Sequence, residues 1–184
     1  MCEYCGCQAL ATIGELTREH DLVLNLMGEV RAAHADADPD RMAGLARQIA
    51  AILGPHTEVE EHGLFPGLAA DFPGHIAVLR AEHRQIEAVL GEASAGCPAD
   101  PVWPARLATA LAVLREHIFK EQDGVFPAAL ATLSTSHWEA AEAARSRARV
   151  QAKGLVACAE SPAGDRPPPT AFRGPPEQLA RRSG

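Results

Sequence analysis

At 184 residues the chain is long enough for one well-cored domain with some length to spare. Only 4% of residues are aromatic, and Ala and Leu dominate the apolar share, which suits close helix packing better than a sheet. Residues 1–144 carry 9 Lys+Arg against 21 Asp+Glu, whereas residues 145–184 carry 8 against 3. The acidic body argues against nucleic acid as the main partner, and the arginines of the basic tail are expected to be solvated.

No run of about 18 apolar residues is present, so no membrane span is expected. The first 15 residues lack both a basic start and an apolar stretch, so no secretory signal is expected either. The expected compartment is the cytoplasm, where five Cys stay mostly reduced, with Cys97 and Cys158 as isolated spectators.

Residues 1–9 form a Cys-containing segment ahead of the first helix. Cys2, Cys5 and Cys7 there lack the fourth ligand of a closed zinc site, which makes a redox role the better expectation. The first helix is predicted from about Thr12 to Ala35, with Ile13, Leu16, Val23, Leu24 and Met27 on the face of His20. Asp36-Ala37-Asp38-Pro39 ends it. The second is predicted from about Asp40 to Ala70, its stripe of Met42, Leu45, Ile49 and Ile52 leading to His56, with a kink expected at Gly54-Pro55. The third follows Pro73-Gly74 and reaches about Ala93, placing Ile76, Leu79, Ile86 and Leu90 beside His83. The fourth runs from near Pro104 to about Leu133, where Leu107, Ala110, Val113 and Leu114 line up with His117. A shorter fifth helix opens at Ser136, whose spacing to Glu139 fits a capping box. The expected architecture is all-α: an antiparallel up-down-up-down four-helix bundle over residues 10–148 with that short C-terminal helix. Residues 149–184 are expected to be a Pro- and Arg-containing tail, disordered from about Gly154 for want of apolar content.

An internal duplication dominates the middle of the chain. His56 and Glu60 stand four residues apart, and the spacing returns at His117 and Glu121. Each pair is preceded by a Glu-His step, Glu19-His20 and Glu82-His83, and followed by Gly63-Leu64-Phe65-Pro66 or Gly124-Val125-Phe126-Pro127. A helix puts residues i and i+4 on one face, so each half offers an imidazole and a carboxylate aimed the same way. A satisfied core histidine explains any one of these positions. Four His and two Glu on apolar stripes are six costly burials at duplicated places, and a dinuclear metal site accounts for all six.

His20, His56-x3-Glu60, His83 and His117-x3-Glu121, with their trailing Phe-Pro, resemble the haemerythrin-like, or HHE cation-binding, domain over about residues 10–148. The resemblance implies two non-haem irons bridged by oxo or hydroxo and by two carboxylates. It implies that His20 and His56 serve one iron and His83 and His117 the other, with Glu60 and Glu121 bridging. The chain departs from the oxygen-carrying members of that family at two places. Leu79 stands where they have a fifth His, and Gln122 where they have an Asp, so that Glu121 takes over as carboxylate. Both irons would then present an open position, which favours substrate chemistry or exchangeable iron over reversible O2 carriage.

Among the remaining polar residues, His62 and Asp123 are equivalent in the two repeats and are either partners of the ligands or solvent-facing. Glu58 and Glu61 are expected off the metal stripe, His75 on the surface, and the His83-x3-Glu87 spacing is expected to be coincidental. The expected function is that of a di-iron protein reacting with O2 or a small oxidant, peroxide disproportionation being the concrete enzymatic form. The competing class is an O2, NO or iron sensor or iron-binding protein without turnover. Small molecules are the expected partners, and the ligand types suit zinc or manganese as well as iron.

Overall fold

In the computed structural model, residues 11–159 are described, and every regular element among them is helical. In chain order these are α1 (Ala11–Ala35), α2 (Pro39–Val59), the short α3 (Phe65–Leu68), α4 (Pro73–Gly91), α5 (Trp103–Lys120), α6 (Phe126–Thr132) and α7 (Thr135–Ala159). Cys2, Cys5 and Cys7 and the tail from residue 160 lie outside the described residues. No described helix is long and apolar enough to cross a membrane.

α1 packs on α2, α2 on α4, α4 on α5, and α5 returns to α1, which closes an antiparallel four-helix bundle. The stripes predicted from periodicity form its interior, in two apolar clusters. One joins the C-terminal half of α1 (Val23, Met27, Val30) to the start of α2 (Met42, Leu45, Ile49) and to Ile86, Leu90, Leu107 and Leu114. The other joins Ile13 and Leu16 to Val59, Leu64, Phe65, Ile76, Leu79 and Phe126. His20, His56, His83 and His117 fall on the same four stripes, in the layer between the clusters. The core is thus interrupted by one polar layer.

Helical geometry changes at that layer. Glu60–Leu64 and Glu121–Val125 each form one π-helical turn, continuous with the α-helices on either side. A π turn widens the helix by one residue and re-registers all that follows. Pro66 and Pro127 come just after each widened turn, where the missing N–H is tolerated. The irregularity therefore lies at the two Glu positions and not at Gly54-Pro55, through which α2 continues. Pro55 forfeits a bond to the carbonyl of Ala51, and Ala51 sits on the exposed face, where that loss costs least.

The fifth helix differs most from expectation. α7 spans 25 residues to Ala159, where a short helix was expected and disorder from Gly154. Ser134, not Ser136, precedes its first turn, and its backbone N–H donates to His137 Nδ1 at 3.2 Å. The helix docks through a stripe of Ala141, Ala144, Arg145 and Ala148, all buried, against α2 and the first π turn. Gly63 permits this approach, since a Cβ there would lie 2.5 Å from the Ala141 Cα. Its counterpart Gly124 meets nothing within 4 Å, and among the described residues no helix docks there as α7 does at Gly63.

Candidate metal centre

The six predicted residues come together in the buried polar layer. Glu60 and Glu121 have no exposed surface, and His20, His56, His83 and His117 are at most 5% exposed. Each side chain arrives from its own element: His20 from α1, His56 from α2, His83 from α4 and His117 from α5. The two carboxylates enter from the first residues of the π turns. His56 Nε2 stands 3.2 Å from Glu60 Oε1, and His117 Nε2 stands 3.0 Å from Glu121 Oε1. The carboxylates then cross the bundle. The second oxygen of Glu60 lies 3.4 Å from His83 Nε2, and that of Glu121 lies 3.2 Å from His20 Nε2.

Two overlapping groups of possible ligands result. His20, His56, Glu60 and Glu121 form one, and Glu60, His83, His117 and Glu121 form the other, with ligand atoms within 4.8 Å of one another in each. Both carboxylates belong to both groups. Among the described residues, His56 Nε2, His117 Nε2 and all four carboxylate oxygens are buried without a hydrogen-bond partner. Orphaned buried acceptors cost free energy that a cation held among them would recover. Two imidazoles with two carboxylate oxygens form a donor set that suits iron, zinc or manganese. The residues fit a pair of metal ions.

Behind this layer stands a set of carboxylates. His56 Nδ1 lies 2.9 Å from Glu19, His117 Nδ1 lies 2.9 Å from Glu82, and His83 Nδ1 lies 3.0 Å from Glu61. An imidazole that donates from Nδ1 to a carboxylate keeps Nε2 free and aimed at the centre. Glu19 is held in turn by Arg145 of α7, at 2.5 and 3.0 Å, and Glu82 pairs with Lys120. Arg145 is thus buried and ion-paired and does not belong to a solvated basic tail, whereas Arg149 pairs with Glu15 and stays exposed. Glu61, expected off the metal stripe, is off it but touches His83 from the side. His62, Asp123, His75 and Glu87 are exposed, and His62 pairs with Glu58.

These carboxylates set the charge state of the metal-free site. Burial opposes charge on His56, yet Glu60, Glu19 and Glu121 outweigh it and raise its pKa to about 10. Burial is likewise overcome at His117, which Glu121, Glu60 and Glu82 raise to about 9. Burial pushes Glu60 up, but the facing His56 and His83 hold it well below the usual carboxylate range. A raised imidazole pKa contributes stability that is complete below the unfolded value and disappears as pH climbs through the folded one. The melting temperature of the metal-free protein should therefore fall between about pH 7 and 10 as His117 and then His56 lose their protons. Bound metal replaces those protons, so the loaded protein should show a smaller fall. Thermal unfolding across that range, with and without a chelator, checks this; a flat profile for the metal-free protein contradicts it.

The space over the centre is small. A void of about 10 Å³ is bounded by the four imidazoles with Leu53, Ile86, Leu114 and the polar Thr57 and Glu87, room for roughly one water-sized ligand. A separate apolar cavity of about 500 Å³ is lined by Phe72, Ile76, Leu79, Val125 and Ala128. Leu79 is buried in its wall, one helical turn before His83.

The model of the Hemerythrin HHE cation binding domain matches residues 11–129. The chain belongs to that family. The match covers α1 to α5, both π turns and the start of α6, and so includes all six residues of the buried layer. α7, which supplies Arg145, lies beyond the matched residues. Neither the curated proteins nor the solved structures gave a match to this haemerythrin-type chain.

Proposed function

We propose that this chain holds two irons, each by two His and by one oxygen from each of Glu60 and Glu121, and that it reacts with O2 or a small oxidant. The observation that carries the reading is the pair of buried groups that share both carboxylates. Iron held there would supply a Lewis acid and a one-electron redox change. The residues do the rest. Glu60 and Glu121 fix the separation of the two positions, and Glu19, Glu82 and Glu61 hold three imidazoles in register. The apolar clusters on either side exclude bulk water. The void over the imidazoles has room for roughly one water-sized ligand and none for a bulky organic substrate. Disproportionation of hydrogen peroxide, in which two molecules give O2 and two of water, involves no bulky substrate.

A sensor without turnover is the second reading, and one contact favours it. Arg145 connects α7 to Glu19 and through it to His56, so a change at the centre has a path to the helix that leads into the C-terminal region. In both readings a cytoplasmic protein with small-molecule partners is proposed.

Anaerobic loading with Fe(II), metal analysis and an optical spectrum after exposure to air test the proposal. About two irons per chain are expected, because two equivalent donor groups are present. Near-ultraviolet ferric charge-transfer bands and O2 release from added peroxide should accompany them. About one iron per chain, with unchanged loading in His83→Ala, overturns the two-position model.

A further inference from the structure

The buried layer has an internal two-fold symmetry that one residue breaks. His56 and His117 correspond, and each has a carboxylate on Nδ1, from Glu19 and Glu82. His20 and His83 correspond as well. His83 stacks on Phe65 at 5.7 Å and 12°, and His20 on Phe126 at 5.6 Å and 8°. The Nε2 of each faces the carboxylate that opens a π turn, Glu60 for His83 and Glu121 for His20. The next residue of the first π turn, Glu61, then takes His83 Nδ1 at 3.0 Å. The next residue of the second π turn is Gln122, and His20 Nδ1 is buried with no partner among the described residues.

We propose that the two metal positions are unequal, and that Gln122 makes the His20/His56 position the weaker and more exchangeable one. This rests on the dimetal reading above. An ionised carboxylate on Nδ1 fixes the ring, selects the tautomer that leaves Nε2 free, and increases the donor strength of that nitrogen. Three imidazoles have this support and His20 does not. A neutral amide at position 122 is a weaker acceptor than a carboxylate. His20 therefore lacks the contact on Nδ1 that would fix its ring and select the tautomer leaving the metal-facing atom free. Loss of such an outer partner lowers metal affinity by about 10–100-fold. At limiting metal the chain would then fill the His83/His117 position first, and metal would leave from the His20/His56 position first.

Titration of the metal-free full chain with Co(II), followed by calorimetry and visible absorption, tests this. His83→Ala leaves only the His20/His56 position intact, and His20→Ala leaves only the His83/His117 position. Co(II) should bind His20→Ala about 10–100-fold more tightly than His83→Ala. Adding Gln122→Glu should tighten binding by a similar factor in the His83→Ala background and leave the His20→Ala background unchanged. Equal affinities of the two single variants, or an equal effect of Gln122→Glu in both backgrounds, overturns the inequality. If either His variant fails to fold, as judged by circular dichroism, Gln122→Glu in the otherwise native chain decides: the weaker of two Co(II) steps should move toward the tighter, and an unchanged isotherm overturns the proposal. Absence of any Co(II) binding to the native chain is a distinct result, which overturns the dimetal reading itself.

Discussion

Glu60→Ala or Glu121→Ala should empty both metal positions, whereas His20→Ala should empty one. Each carboxylate belongs to both ligand groups, so its removal takes an oxygen donor from each, while each imidazole belongs to one group alone. Removal of an outer partner already costs about 10–100-fold in metal affinity, and a shared direct donor should cost more than about 100-fold. The effect extends to folding. Metal bound to the native state stabilises it against an unfolded chain in which no such group is assembled. The Glu variants should therefore melt at nearly the same temperature with and without added iron, and the native chain should not. Iron analysis after anaerobic loading and dialysis gives the first quantity, and thermal unfolding gives the second. Equal iron content in the native chain and in both Glu variants rules out the bridging assignment.

The ligand candidates were legible in the sequence because of a contrast. His20, His56, His83 and His117 stand on the most apolar stripe of their helices, and a period of 3.6 exposes such an intrusion at once. The bundle was legible for the same reason, since four amphipathic stripes joined by short loops leave few other ways to bury them. The outer carboxylates were hidden by helix geometry. Glu19 and Glu82 are next to His20 and His83 in sequence, but successive side chains point about 100° apart. Each therefore serves a histidine of the neighbouring helix, His56 or His117, and only the packing reveals which. Glu61 is hidden in the same way, because the π turn at Glu60 re-aims it toward His83. The Phe-Pro steps after Glu60 and Glu121 were the available signal for those turns, and they read as plain repeats. α7 escaped because its docking stripe is Ala141, Ala144 and Ala148, which offers little hydrophobic contrast, and because Arg145 in that stripe counts as basic until its partner is known.

Leu79→His should slow peroxide decomposition while leaving the fold in place. Leu79 is 3% exposed and stands one turn before His83 on α4, so a side chain there projects toward the same layer. It also lines the apolar cavity of about 500 Å³, which gives a flat ring room to turn. An imidazole at this position adds a nitrogen donor to the His83/His117 half and fills a coordination place that a small oxidant would otherwise take. With one of two metals closed, the rate of O2 release from peroxide should fall to roughly half or less. Reversible O2 uptake should become more persistent, since one saturated metal beside one open metal disfavours turnover. Leu79→Met separates donor chemistry from volume: it keeps the size and apolar character of the wall and should keep the native rate. A ring that fails to reach the metal would instead sit unpartnered in an apolar wall, at a cost of roughly 1–3 kcal/mol. That outcome would appear as a lower melting temperature with unchanged peroxide chemistry. Equal peroxide turnover in Leu79→His and the native chain at equal iron content would show that position 79 does not govern access to the metals. A native chain that takes up and releases O2 cleanly through repeated cycles, with no peroxide turnover, would overturn the assignment of reactivity over carriage.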